Sequence, residues 1–523
     1  MKKHFLSYML FCCTLGSFAQ HVEEKPGTLD LMQGLEYRVE AQGSLASGKT
    51  PLWLNANKHG LSSLEETNGY LRASAIRPMN TDTLRRWGVG YGLDMAVPFH
   101  YTSHVVVQQA FAELKWLHGA LSVGSKEYPM EMKNQTLSSG GQALGINARP
   151  VPQVRIAFHD YAPVPLTKGW VHLKGHIAYG MMTDENWQHD FTQKQHQYTD
   201  GLLYHSKAGF IKIGKEECFF PLSMEMGLEM ATIFGGTSYQ PMNDGTMREI
   251  RSKRGFLSFW HAFKPDGGDV EENLYTNAEG DLLGSWMARV NYDADTWRLG
   301  IYADKFFEDH SSMFQLDFDG KGEGEEWQVS KKRRYILYDF KDMLLGAELT
   351  FKYSSKIRHL LLEYIYTKYQ SGPIYHDHTP HLSDHIGGKD DFYNHYLFSG
   401  WQHWGQVIGN PLYRSPIYND DGTLKIQDNR FRALHLGMDG TLRDVDYRLL
   451  ATFQDGVGTY DNPYPKKRTN ISVLAECAYQ IPHGTLKGWQ IKGAYGMDLG
   501  SLLGHNYGAQ LTVTKRGLFK NKK

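Results

Sequence analysis

Apolar and polar positions alternate with a period of two along most of this chain. Between positions 87 and 97 the odd residues are Trp87, Val89, Tyr91, Leu93, Met95 and Val97, and the even ones Gly88, Gly90, Gly92, Asp94 and Ala96. One face is apolar and aromatic and the other small or polar, which predicts a strand between two different environments. The same dyad returns in Val171, Leu173, Ile177 and Tyr179 against His172, Lys174 and His176, and in Met343, Leu345, Ala347, Leu349 and Phe351 against Glu348, Thr350 and Lys352. Further strands are predicted at 286–292, 297–301, 445–453, 471–479, 489–495 and 507–513. Aromatic residues gather near their ends, as in strands of about ten residues that cross a bilayer between two aromatic girdles. A soluble sandwich buries similar faces, but the charged Lys174, Glu348 and Lys352 on the opposite faces suit a polar lumen better.

The reading is therefore all-β: a large antiparallel transmembrane β-barrel of sixteen to eighteen strands with long extracellular loops, occupying 35–519. Ahead of it, Lys2 and Lys3, the apolar run to Phe18 and the small Ser17 and Ala19 read as a signal peptide over 1–19. Residues 20–34 are expected to be a short periplasmic lead-in and 520–523 a basic tail. The expected location is the outer membrane. Net charge is −1, which leaves no electrostatic footprint for nucleic acid. The mature chain would keep two cysteines, Cys218 and Cys477, too few for a disulfide scaffold. Cys477 falls on the apolar face of its strand, so a buried or lipid-facing thiol is expected.

Short motifs add a resemblance. Pro51, Leu52, Trp53, Leu54, Asn55, Ala56 and Asn57 with Gly60, and then Asn68 to Arg72, resemble the N-terminal strands of the Wzi-type capsule assembly family. Leu137 to Gly141, Asn147 to Arg155 and Thr167 to Trp170 look like the same family, as do Gln370 to Pro373 after a strand containing Glu363, and Gly409 to Leu412 after Gly400 and Trp401. The resemblance implies a monomeric, eighteen-stranded outer-membrane lectin that holds capsular polysaccharide at the cell surface, without catalysis or cofactor. Family members carry a periplasmic helical bundle, whereas the fifteen or so residues ahead of the first strand here would supply no more than about four helical turns.

The candidate chemistry follows the strand at 359–369, where the chain enters a stretch dense in His, Asp, Tyr and Trp. His376, His378, His381, His385 and His395 have a spacing permissive for zinc or copper, but a polar loop of hydrogen-bonded histidines is the better reading and no metal is expected. Tyr393, Tyr396, Trp401 and Trp404, interleaved with Asp391, Asn394, Gln402 and His403, supply flat rings for sugar C–H faces and planar polar groups for hydroxyls. On an extracellular loop these would contact glycan, with a girdle position as the alternative for one of Trp401 and Trp404. Arg149 and Arg155 would pair with acidic groups of a polymer, or else with lumen carboxylates such as Glu113 and Glu127. No spacing singles out a nucleophile or a carboxylate pair, so no enzyme is expected. The expected partners are capsular or surface polysaccharide and outer-membrane lipid. A diffusion porin is the alternative, and an outer-membrane lipid or glycan hydrolase a more distant one.

Overall fold

The computed structural model describes residues 30–82, 85–215, 220–264, 280–308, 315–318, 325, 329, 333–336, 341–375 and 386–519. Its central feature is a sheet of 18 strands, each antiparallel to its neighbours. In chain order the first six are β1 (Glu36–Ser47), β2 (Thr67–Arg77), β3 (Trp87–Phe99), β4 (Val106–Trp116), β5 (Gly119–Ser125) and β6 (Gln153–Pro163). Then come β7 (Val171–Met181), β8 (Leu203–Ile213), β9 (Leu222–Phe234), β10 (Asp281–Asp293), β11 (Trp297–Glu308) and β12 (Met343–Phe351). The last six are β13 (His359–Tyr366), β14 (Phe431–Leu442), β15 (Val445–Gly458), β16 (Pro463–Gln480), β17 (Trp489–Gly500) and β18 (His505–Leu518). Pairing of β1 with β18, from Glu36 opposite Leu518 to Ser47 opposite Tyr507, closes the barrel and leaves the sheet no free edge.

The alternation read from the chain decides which way each side chain points. In β3, Leu93, Met95 and Val97 are exposed on the outer wall while Gly92, Asp94 and Ala96 are buried inside. Leu71, Ile156, Ile177, Ile301, Leu436 and Leu511 extend the same exposed apolar surface round the barrel, as a wall facing hydrocarbon requires. Cys477 is exposed on this wall, on the lipid-facing side of β16; Cys218 lies outside the described residues.

Connections on one rim are tight, such as 117–118, 294–296 and 443–444, and on the other long, such as 126–152, 182–202 and 367–430. Short turns of outer-membrane barrels face the periplasm and long loops the exterior, so both barrel termini sit on the periplasmic rim. No described helix is long and apolar enough to cross a membrane.

The interior differs from the polar lumen expected. Three external connections turn inward and fill it: residues 51–64, 130–152 and 391–430. Leu52, Trp53, Leu54, Leu137, Ala143, Trp401, Val407, Leu412 and Tyr413 are buried there against inward-pointing Leu344, Leu361, Ile365, Ala433, Leu450 and Leu474 of the wall. Backbone carried into such an interior needs internal partners, and the three segments supply them to one another. Asn57 N–H donates to Asn147 Oδ1 (3.1 Å) and its Nδ2 to Ser139 O (3.0 Å). Asn147 Nδ2 donates to Val407 O (3.0 Å), and Asn410 Nδ2 to Gly140 O (3.2 Å). Gly140 has φ +142°, and a Cβ there would sit 2.9 Å from Pro411 Cδ, so glycine permits both the turn and the close approach. The motifs at 51–60, 137–152 and 400–412 thus converge in space as one plug.

Candidate functional site

Glu363 of β13, fully buried, binds the plug to the wall. It accepts hydrogen bonds from Ser138 Oγ (2.6 Å), Ser139 N–H (2.8 Å) and Tyr302 OH (2.6 Å). Beside it His435 Nε2 donates to Leu137 O (2.7 Å), while its Nδ1 meets Thr452 Oγ1 (2.7 Å), which also accepts from Trp53 Nε1 (3.0 Å). Lys133 and Asp304, both fully buried, form a further plug-to-wall ion pair at 2.7 Å.

The aromatic stretch expected at the extracellular surface belongs mostly to this plug. Trp401 is completely buried, donates through Nε1 to Ala143 O (2.9 Å) and stacks on Tyr204. Tyr393, equally buried, stacks on Tyr413 with centroids 4.1 Å apart and donates through its hydroxyl to Gln142 O. His403 bonds Arg149 O (2.8 Å), and burial pushes its imidazole down to about 4, so it is neutral at physiological pH. Asp391 accepts from Asn394 and Asn429 Nδ2. Trp401 and Trp404, expected as glycan contacts on an extracellular loop, are instead buried, Trp404 at 8% exposure: apolar rings gain more by filling the barrel than by facing water. Tyr396 remains at the surface, 44% exposed. His376, His378, His381 and His385 lie outside the described residues, and His395 is held neutral by burial, its pKa pushed down to about 3.

The two arginines separate. Arg155 of β6 stacks on Tyr128 at 4.1 Å and lines an internal cavity of about 90 Å³ with His176, Tyr204 and Glu229. Arg149 lies 4.1 Å over the Trp404 ring and donates from Nη2 to Thr102 Oγ1 (2.9 Å). Neither pairs with Glu113 or Glu127 as proposed from sequence. Glu113 takes Lys126 (2.6 Å), just beyond the adjacent β5, and Glu127 takes Arg72 (3.3 Å), which points into the barrel from β2.

Above the plug, at the external mouth, lies a cleft of about 1160 Å³. Its walls come from the connections at 48–66, 100–105, 182–202, 414–420 and 501–504, and Arg468 at the top of β16. Trp187 and Phe191 stack at 4.8 Å on one side, and Trp187 packs in a cluster with Trp404, so the Arg149–Trp404 pair supports the cleft from below. Tyr101 and Tyr418 contribute two more rings. The cations are Lys49, which pairs with Asp420 at 2.6 Å, Arg414 and Arg468. Arg414 makes only neutral hydrogen bonds among the described residues: Nη1 to Gln427 Oε1 (2.6 Å) and Asn419 Oδ1 (3.1 Å), and Nη2 to Tyr418 O (2.8 Å). Its Nε and the Tyr101 hydroxyl have no hydrogen-bond partner among the described residues. Arg468 stacks on Tyr464 at 4.1 Å.

Sequence reasoning missed these residues because the five segments lie far apart along the chain. Trp187 and Phe191, four apart on a short helix (Trp187–Thr192), carried the readable signal: two adjacent rings in an otherwise polar loop.

A closed 18-stranded barrel with an apolar outer wall, a filled interior and an external cleft defines the class: this is an outer-membrane β-barrel. No family model and no curated protein matches the chain. Among solved structures it is similar to Escherichia coli Wzi, a carbohydrate-binding β-barrel involved in group 1 capsule assembly. The TM-score is 0.54 at 11% identity, over 94% of this chain and 86% of that one. Pseudomonas aeruginosa OccD3 (TM-score 0.42, 8% identity, 92% and 90% of the two chains) and OpdK (0.44, 9%, 92% and 98%) are similar barrels. At these identities the likeness is one of fold.

Proposed function

We propose that the protein binds a surface polysaccharide in the cleft at 48–66, 182–202 and 414–420, and thereby contributes to capsule assembly and attachment. The observation that carries this reading is the combination of a plugged barrel with a mouth of stacked rings and an arginine, Arg414, whose guanidinium hydrogen-bonds only neutral groups among the described residues. The half-buried Phe191 and Tyr101 offer faces to sugar rings, with the buried Trp187 and Tyr418 packed behind them. Arg414 offers charge to an acidic substituent. Likeness in fold to a carbohydrate-binding barrel supports the same reading. A long polymer repeats its epitope, so modest affinity per site retains it by avidity, and no chemistry is required.

A diffusion porin would need a path through the plug, and the interlocked segments at 51–64, 130–152 and 391–430 oppose one. The test is binding of purified protein to acidic and neutral capsular oligosaccharides, with Arg414→Gln and Phe191→Ala variants. Arg414→Gln should weaken acidic oligosaccharides about tenfold and leave neutral ones unchanged. Equal binding by all three proteins, or cell-associated capsule unchanged on gene deletion, would sink the proposal.

A further inference from the structure

Helix α1 (Phe256–Phe263), in the long connection between β9 and β10, stands on the outside of the barrel. Its inner face carries Ser258, Phe259 and Ala262. Phe259 packs on Tyr179 of β7 (5.4 Å between centroids) and on Phe234 of β9 (5.3 Å). Tyr179 shares its strand face with exposed Leu173, Ile177 and Met181, and Phe234 with exposed Leu222 and Met226, so both project from the outer wall. Lys207 of β8, on the same face as exposed Ile211 and Ile213, donates to the C-terminal carbonyl of Phe263 and more weakly to Ala262 O (3.4 Å). A lysine on a hydrocarbon-facing wall is costly. Here it instead caps the helix end, where a cation is favoured.

Lys207 lies four residues below the external end of β8, about 9 Å at the usual rise and tilt of such strands. The helix therefore descends to the depth at which interfacial amphipathic helices lie. Its outer face is apolar and bare: Phe256 is 85% exposed, Leu257 68% and Trp260 50%. Immediately before it Lys253 and Arg254 are exposed at the rim, where Arg254 Nη2 donates to Gly201 O (2.8 Å).

We propose that α1 is a lipid-docking element: Phe256, Leu257 and Trp260 enter the acyl layer of the outer leaflet, and Lys253 and Arg254 bind the phosphate of an anionic lipid headgroup. Two observations select this occupant. The apolar face is continuous with a wall that already faces hydrocarbon, and the cations stand at its upper end, at headgroup level, where a phosphate would complement them.

The test uses the full chain reconstituted in phosphatidylcholine vesicles with and without phosphatidylglycerol. The fluorescence difference between wild type and Trp260→Phe isolates the Trp260 signal. It should be quenched by bromine-labelled acyl chains and be insensitive to aqueous iodide. Lipids retained by detergent-extracted protein should be enriched in phosphatidylglycerol, and Lys253→Glu with Arg254→Glu should cut that enrichment about tenfold or more. Both positions are exposed, and unchanged heat-resistant gel mobility verifies the barrel. Quenching by iodide rather than bromolipid overturns the proposal. So does enrichment indifferent to charge reversal, or a dimer of this chain that shields Trp260 from both quenchers.

Discussion

Replacing Glu363 by alanine should release the plug without dismantling the barrel. The carboxylate accepts three hydrogen bonds, two from plug residues Ser138 and Ser139 and one from Tyr302 of the wall. Bonds to a charged group contribute about 1.5–3 kcal/mol each. Part of that sum is offset because alanine also removes the cost of burying a charge, several kcal/mol in a protein interior. Breaking such a buried arrangement by deleting one partner costs about 3–5 kcal/mol, and about 3 kcal/mol raises the undocked population of the segment more than a hundredfold. Amide hydrogen exchange at 137–145 should accelerate accordingly, while exchange in β1 to β18 changes little. In planar bilayers the variant should show brief conducting events that the wild type lacks. Glu363→Gln keeps one oxygen for the two hydroxyls but turns an amide N–H toward Ser139 N–H, so its effect should be intermediate. Unchanged exchange at 137–145 in Glu363→Ala, together with no new conductance, would refute the idea that this carboxylate anchors the plug.

Three further expectations concern the cleft, the plug and the wall. Burial raises the Asp428 carboxyl to about 7, against the opposing Gly458 N–H and the Arg414, Lys368 and Arg468 charges. Because its folded pKa lies above the unfolded one, the contribution is fully present below about pH 4 and lost as pH rises to about 7. Plug protection should fall across that window, by at most on the order of 4 kcal/mol, and Asp428→Asn should flatten the profile seen by hydrogen exchange. Arg149→Met removes the cation over Trp404 and should cost up to about 2 kcal/mol, read as a lower denaturation midpoint together with weaker oligosaccharide binding. Cys477 should react with a bilayer-soluble maleimide in vesicles and resist a charged, impermeant one; the reverse would place the thiol on the wrong face of β16.

Much of the wall was legible because a strand's alternation is local. The dyad at 87–97 is the same dyad in β3, and in β13 Leu360, Leu362 and Tyr364 face opposite to Glu363. Even the plug left a trace. Leu344, Leu361, Ile365, Leu450 and Leu474 interrupt the alternation on the inward side, and a strand that is apolar on both faces is one buried on both. Read that way, Leu360-Leu361-Leu362 and Leu449-Leu450-Ala451 announce something apolar inside the barrel.

The chain's own pattern therefore determined the strands, the lipid-facing side and the class of compartment, since these follow from residues two apart. What fills the barrel, and which residues meet at its mouth, only the tertiary structure decided. Ser138 reaches Glu363 across 225 positions and Trp401 reaches Ala143 across 258. An aromatic, polar loop reads alike whether it extends into water or turns into a barrel. The choice between the two depends on buried partners that only closure of the sheet brings within reach.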